Sequence, residues 1–383
     1  MAWKEETAMS IKKRFISCVL QEEVNFSAIC KAFQISRECG YKWLKRYRES
    51  GEKGLEELSR KPLLSPFKTS DVVEDQILAV REKHQAWGAR KIYAFLKRKG
   101  VTNLPTPSTI TRILHRHGKI EEGESIRHTA FMRFEHAKPN QLWQMDFKGQ
   151  FWISSGQCHP LTVLDDHSRY SLDIRACANQ QAVTVKTSLI NIFREYGLPE
   201  RMTMDNGSPW GSPSEKNGYT GLEVWLIRLG IYVSHSRPFH PQTQGKDERF
   251  HRSLKAELLR GKSFANLESI QKEFDEWRWC YNHERPHEAL KLNSPASRYQ
   301  VSSRKYPESL PVIAYDIGSE VRRVAANGEM NYKGEKYYIS ESMKGLPVKI
   351  VESNRCGILN VYLDRQKVKE IDLINKRVAK KIV

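Results

Sequence analysis

The spacing of apolar residues changes twice along this chain of 383 residues, and no single layer of secondary structure carries all three patterns. As far as His117 they recur every three to four residues, the period of a helix buried on one face. From Asn140 they alternate: Leu142, Gln144 and Asp146 take one side, Trp143, Met145 and Phe147 the other, as on a strand. Beyond Pro311 the alternation persists only in short runs separated by Gly and Asn. The order is therefore helices, then a mixed sheet with helices, then a small all-β segment. At this length roughly two to four separate cores are expected.

The helical part divides again. Ile11, Phe15, Val19 and Leu20 mark one helix, Ser27 to Phe33 a second, and Gln34-Ile-Ser36 a tight connection to a third over Arg37 to Arg48. The third helix carries Tyr41, Leu44 and Tyr47 on an apolar side and is otherwise basic. That is the layout of a helix-turn-helix whose second helix enters the major groove, with Arg37, Lys42, Lys45 and Arg46 as candidate DNA contacts. A plain helical hairpin is the alternative. Gly51 to Pro66, rich in charge, Gly and Pro, is expected to be a linker. A second block follows, with Val73, Ile77 and Val80 at helical spacing, a basic helix from Gly88 to Lys99, and a helix opened by Pro107, Ser108 and Thr109. Ser108, Thr109 and Arg112 are its candidate DNA contacts, and Glu121 to Glu135 is a polar linker.

Charge supports a polyanionic partner. The chain has 63 basic and 45 acidic residues, a formal net charge of +18, and half the surplus lies in residues 1–135, where 26 basic residues face 17 acidic ones. Counterion release from phosphates is the force such a surface exploits, although a merely solvated basic surface has the same composition. The seven scattered cysteines include no C-x-x-C pair, so neither a disulfide framework nor a zinc ribbon is expected. Reduced thiols, no apolar run of membrane-spanning length and a charged N-terminus fit a soluble cytoplasmic protein with no membrane partner.

The middle segment reads as strands over Leu142–Phe147, Leu161–Leu164 and Tyr170–Ile174, a helix over Ala182–Tyr196, a short strand Arg201–Met204, a helix over Leu222–Leu229 and a strand Ile231–Ser234. Then come a Pro- and Gly-containing loop and a basic helix that carries Asp247 and Glu248 in its first turn, where they repel phosphate. Three acids stand out by position: Asp146 within the first strand, Asp205 ending a later strand before Asn206-Gly207, and Glu248. Taken singly, each has an ordinary account, since Asp before Asn-Gly makes turns and a Glu in a first helical turn answers the helix dipole.

Taken together they match a pattern. Asp146 in Trp143-Gln-Met-Asp-Phe147, Asp205 in Asp-Asn-Gly and Glu248 in Gly245-Lys-Asp-Glu-Arg-Phe-His-Arg-Ser-Leu-Lys255 resemble the triad of bacterial insertion-sequence DDE transposases with a retroviral-integrase-type core. His240-Pro-Gln-Thr-Gln-Gly245 is similar to the loop those proteins carry before the glutamate, and Tyr281-Asn-His-Glu-Arg-Pro-His-Glu-Ala-Leu290 to the segment that closes their core. The resemblance is close over about residues 136–300 and extends loosely to both flanks. It implies a ribonuclease H-like α/β core in which Asp146, Asp205 and Glu248 are catalytic and hold two Mg²⁺ ions, or Mn²⁺, for phosphoryl transfer. Around Glu248, Lys246, Arg249, Arg252 and Lys255 are candidate contacts to the DNA backbone.

Two departures accompany the match. The stretch Pro209 to Gly218 looks inserted, and Asp247 stands where relatives often have an apolar residue. Adjacent helical residues point about 100° apart, so only one of Asp247 and Glu248 faces the metals, and Glu248 keeps the family register. His283 and His287 lie four apart but with Pro286 between them, and are expected to be structural, as are Trp277 and Trp279. Asp165 and Asp166 beside Arg169 suggest a hairpin salt bridge.

The expectation is a multidomain chain. It comprises a helix-turn-helix domain over 1–60, a second such unit and linker over 61–135, an integrase-type core over 136–304 and a small β-barrel over 305–383. As a transposase acting at the nucleoid, it would bind double-stranded DNA at the terminal inverted repeats of its element, cleave the 3′ ends and join them to target DNA, as a homo-oligomer. The alternative is a catalytically silent DNA-binding regulator derived from such an enzyme.

Overall fold

Helix α1 (Ala8–Val19) is capped by Thr7, α2 (Phe26–Ala32) by Asn25 and α3 (Arg37–Ser50) by Ser36, each cap side chain accepting a backbone N–H of the first turn. The structure, a computed structural model, describes residues 7–57, 68–120, 135–205, 207, 209–210, 218–235, 245–375 and 377–378. The linker stretches 58–67 and 121–134, Asn206, most of the 209–218 insertion and the loop His240 to Gln244 lie outside them. By compactness the chain divides into Met1–Lys68 and Thr69–Val383.

In the first unit Phe15, Ile16, Cys30, Trp43, Leu44 and Leu55 form the core. Two expectations are corrected here. Trp43 supplies the inward face of α3, while Tyr41 is exposed and stacks on Phe26 at 4.2 Å. The expected linker begins later than Gly51, because Gly51–Leu55 is a 3-10 turn that packs back on α3. At Gly54 a Cβ would stand 2.1 Å from the carbonyl oxygen of Arg46, so only glycine allows that approach.

The second unit begins with α4 (Asp71–Lys83), α5 (Ala89–Arg98) and α6 (Pro107–Arg116), packed around Ile77, Trp87, Ile92, Ile110, Ile113 and Leu114. The cap of α6 is Thr106, with Pro107 at its first position. A mixed sheet follows, of β1 (Trp143–Phe147), β2 (Phe151–Ile153), β3 (Gly156–Asp165), β4 (Ser171–Cys177), β5 (Arg201–Met204) and β6 (Tyr232–His235). The long β3 pairs antiparallel with β1, β2 and β4, and β1, β5 and β6 run parallel. Crossover helices α7 (Ala182–Tyr196) and α8 (Gly221–Arg228) connect the parallel strands and bury Val185, Leu189, Phe193, Leu222 and Leu226 with one face of the sheet. The other face buries Leu164 and Ile174 against Phe250 and Leu254 of α9 (Gly245–Leu254) and Phe274 and Trp277 of α10 (Leu267–Trp279). Burial on both faces of the sheet accounts for Gln144 being buried although it takes the polar side of the alternation in β1.

The hairpin aspartates depart from a simple bridge to Arg169. Asp165 accepts from the backbone of Asn140 and from Ser168, whereas Asp166 pairs with Lys246 and with His136 at 3.0 Å. Trp277 is core as expected. Trp279 is not: it is 57% exposed and stacks on His283.

The C-terminal segment consists of β7 (Glu320–Arg323), β8 (Glu329–Tyr332), β9 (Glu335–Tyr338), β10 (Pro347–Glu352), β11 (Ile358–Leu363), β12 (Gln366–Asp372) and β13 (Arg377–Val378). The expected closed barrel is corrected. The order is an antiparallel sheet β13-β12-β11-β10-β7 beside a β8-β9 hairpin, and the edge strands β13 and β7 do not pair among the described residues. Closure requires the edges to meet; here Val348, Val361 and Leu363 instead join the apolar cluster that includes Leu226 and Val233. The Gln366 amide brackets the N–H and C=O of Val233, both at 2.9 Å, and so occupies backbone groups on the edge strand β6. No helix among the described residues is long and apolar enough to cross a membrane.

Candidate active site

The parallel pairing of β1 with β5, Trp143 opposite Met202 and Gln144 opposite Thr203, brings the C-terminal ends of the two strands together. Asp146 therefore leaves the sheet near Asp205, which directly follows β5. Topology of this kind gathers side chains at the carboxyl ends of parallel strands, where open α/β sheets bind ligands. Glu248 arrives from the first turn of α9, whose Phe250 and Leu254 are anchored in the core. Burial first, then the charge of Asp205 and more weakly that of Glu248, push the Asp146 carboxyl up to about 7, against the opposing hydrogen bond from the Phe147 backbone.

Asp205 is held on two sides. Its Oδ1 accepts the Gly207 N–H at 2.9 Å, the local turn that Asp-Asn-Gly suggests, and a Cβ at Gly207 would stand 3.3 Å from Oδ2. Its carbonyl oxygen accepts from Nδ1 of His235 at 2.7 Å. Nε2 of His235 meets Oε1 of Glu223 at 2.6 Å, and Oε2 of Glu223 accepts the Thr220 N–H in a capping box. Glu223 and His235 were not among the residues singled out from sequence. Thr220 and Glu223 are legible as a cap, but their link to Asp205 runs through strand β6.

On α9 the two adjacent acids divide as the helical turn requires. Glu248 is exposed, whereas Asp247 is 2% exposed. Burial first, and then the charges of Asp146 and Asp166, hold the Asp247 carboxyl well above the usual carboxylate range. Lys246 turns inward to pair with Asp166, while Arg249 and Arg252 on the same helix and Lys255 in the π turn that follows it are exposed. Below Asp146, Thr162 on β3 donates to the Asp146 carbonyl at 3.0 Å and meets Nε2 of His251 at 2.8 Å. Because the Thr162 proton goes to that carbonyl, Nε2 of His251 donates and its Nδ1 lone pair lies 4.0 Å from Asp146 Oδ2. Burial, with help from Lys148, holds this imidazole neutral, down to about 4.

The candidate DNA-facing side chains separate by exposure. Arg37, Lys42 and Lys45 on α3 and Ser108 and Arg112 on α6 are exposed, and Thr109 is half-buried. Arg46 is committed to the fold, with its guanidinium 4.7 Å over Trp43 and donating to the Glu56 carbonyl at 2.6 Å. His287 is buried with its ring on the Tyr281 carbonyl, in keeping with a structural role.

Comparison with known proteins agrees with this layout. Residues 136–241 and 229–295 match two integrase core domain families, 11–62 a helix-turn-helix domain and 39–114 a homeodomain-like domain. Residues 319–379 match the C-terminal domain of IS481 family transposases. An uncharacterized 31.7 kDa protein of insertion element IS407 from Burkholderia multivorans is 22% identical over 235 residues, which is 60% of this chain and 82% of that protein. An uncharacterized 39.2 kDa protein of insertion element IS476 from Xanthomonas euvesicatoria is 23% identical over 60% of this chain and 65% of its own length. A putative transposase for insertion sequence element IS5376 from Geobacillus stearothermophilus is 24% identical over 50% of this chain and 48% of its own length.

Proposed function

We infer that this chain, which resembles the bacterial insertion-sequence transposases with an integrase-type core, is a DNA transposase that cleaves the 3′ ends of its element and joins them to target DNA. What supports the reading is that Asp146 and Asp205 leave adjacent ends of the parallel strands β1 and β5, and that the charges of Asp205 and Glu248 add to burial in raising the Asp146 carboxyl. We read residues 136–304 as the catalytic core, and the exposed faces of α3 and α6 as the readers of the terminal inverted repeats.

The donor set fits a hard divalent cation. It consists of carboxylate oxygens from three elements, and the charge repulsion that adds to burial in raising Asp146 is the kind a positive charge relieves. When bound there, a pair of Mg²⁺ ions would lower the barrier to in-line attack of a hydroxyl on a phosphodiester. Asp146 and Asp205, on rigid strand ends, would fix the position of the pair, and Glu248 would complete the set from the helix. Asp247 is buried, and burial holds its carboxyl well above the usual carboxylate range, which sets it apart from the exposed Glu248. Arg249 and Arg252 on the exposed side of α9, with Lys255 just beyond its end, stand where phosphates would pass. Cleavage and joining are the same step with different hydroxyls: water attacks first, then the freed 3′-hydroxyl, and in each case one P–O bond forms as another breaks. Two ends handled in concert call for more than one copy of the chain.

The test is nicking of a labelled duplex carrying the element's end, by the protein and by its Asp205→Asn form, with and without Mg²⁺. A metal-dependent 3′ nick lost in the variant supports the reading. Specific binding with no nick from either protein, in Mg²⁺ or Mn²⁺, would replace it with a DNA-binding regulator.

A further inference from the structure

Three side chains of metal-ligating type converge where the second helical block meets the end of α10, away from the carboxylate site. A ring nitrogen of His84, Sγ of Cys280 and a carboxylate oxygen of Glu284 all lie within 4.8 Å of one another. We propose that His84, Cys280 and Glu284 hold a borderline-soft divalent cation of the zinc class, which fastens the helical block 69–120 to the core. This inference does not depend on the transposase reading.

The His84 ring is fixed in place. It follows α4 as its C-terminal cap, and its ring stacks on the fully buried Trp87 at 3.9 Å and 8°, with Phe95 edge-on. Its Nε2 is buried and has no hydrogen-bond partner among the described residues. A satisfied core histidine would show a donor or acceptor there, because buried polar atoms are paired in the great majority of cases. Cys280 and Glu284 come from the π turn Cys280–Glu284 that extends α10; four residues apart, they project to one side. Cys280 packs against the apolar cluster of the helical block. Glu284 is drawn to the same place: Arg98 donates to its carbonyl and Lys99 lies 3.4 Å from its carboxylate.

The donor set selects the metal class. Imidazole nitrogen, thiol sulfur and one carboxylate oxygen suit Zn²⁺, with water in the fourth position, whereas Mg²⁺ and Ca²⁺ take oxygen donors. Tetrahedral zinc ligands stand about 3.5 Å apart, so the trio, whose donor atoms all lie within 4.8 Å of one another, must draw together on binding. Binding would release the thiol proton to solvent and leave a thiolate on the metal.

Co²⁺ titration of the chelator-stripped full chain distinguishes this site from the carboxylate site, because only a thiolate ligand gives a sulfur-to-cobalt charge-transfer band. The expected result is a band that saturates at one equivalent, is abolished by Zn²⁺, persists in Cys18→Ser and is absent in Cys280→Ser. His84→Ala should weaken binding by more than about a hundredfold, since even an outer-shell partner is worth 10–100-fold. Absence of the band from the unaltered protein at excess Co²⁺ would overturn the proposal whatever the variants do. So would a band that survives in Cys280→Ser.

Discussion

His235 and Glu223 meet at 2.6 Å in a fully buried pair, and the other face of the imidazole holds the backbone carbonyl of Asp205. A carbonyl only accepts, so Nδ1 carries a proton, and Nε2 is left to share one with Glu223. Glu223→Gln keeps both bonds, its oxygen on the Thr220 N–H and its amide on Nε2. Glu223→Ala removes the group that meets Nε2 and accepts the Thr220 N–H, at a cost of about 1–3 kcal/mol. Calorimetry should show Glu223→Ala destabilised and Glu223→Gln near normal. In the nicking assay the alanine variant should lose roughly 10–100-fold and need more Mg²⁺, as loss of an outer-shell partner does. Cleavage by Glu223→Ala at the unaltered rate and Mg²⁺ requirement would remove the pair from the site.

Asp247 and Glu248 make opposite predictions from adjacent positions. Asp247 is buried and faces away from the open side where Glu248 stands, so the isosteric Asp247→Asn should leave both cleavage and melting temperature near normal. Glu248 is exposed on the open side, and Glu248→Gln should lower cleavage by at least about a hundredfold with little effect on stability, the loss expected when a direct metal ligand goes. The reverse outcome in a side-by-side nicking assay would exchange the two assignments.

Much of the fold was legible because it is local. The helix of Ala182–Tyr196 and the strand Arg201–Met204 follow from spacing and from the Gly and Pro that end them, and the three acids were visible as a set through resemblance. The contacts that hold those acids were not. His235 reaches Asp205 across thirty residues through parallel pairing of β5 and β6, and His84 meets Cys280 only in the folded chain. The barrel failed for a related reason. Alternation reveals that strands exist, but whether their edges meet depends on what covers the sheet, here the apolar surface around Leu226 and Val233.

Glu74 on α4 ties down the end of α6 by pairing with Arg116 and, at 2.6 Å, with His117. Burial pushes its carboxyl up, but these two partners outweigh it and hold the group below the usual range. A depressed folded-state value means the stabilisation is complete above the unfolded carboxylate range and is lost as pH falls through the lower folded value. Because Arg116 is more than half exposed, the size is about 1 kcal/mol or less. The melting temperatures of the unaltered chain and of Glu74→Gln should therefore differ at pH 7 and converge as the pH is lowered below about 4. A gap that stays constant to pH 3 would mean the pairing contributes nothing.

Lys45 and Arg46 are neighbours on α3 with separate roles. Lys45 is exposed and only loosely engaged with Glu49 at 3.8 Å, so it is available to a phosphate. Arg46 lies over Trp43 and donates to the Glu56 carbonyl, which holds the turn Gly51–Leu55 against the helix. Lys45→Ala should weaken binding to terminal-repeat DNA and flatten the dependence of log Kd on log salt by about one unit, with no change in melting. Arg46→Ala should lower the melting temperature and reduce binding mainly through the loss of folded protein, since a stacked, hydrogen-bonded arginine contributes packing as well as charge. Anisotropy over a salt series, read beside thermal melts, separates the two. A full unit of salt dependence lost in Arg46→Ala with stability intact would put that guanidinium on the DNA instead of on Trp43.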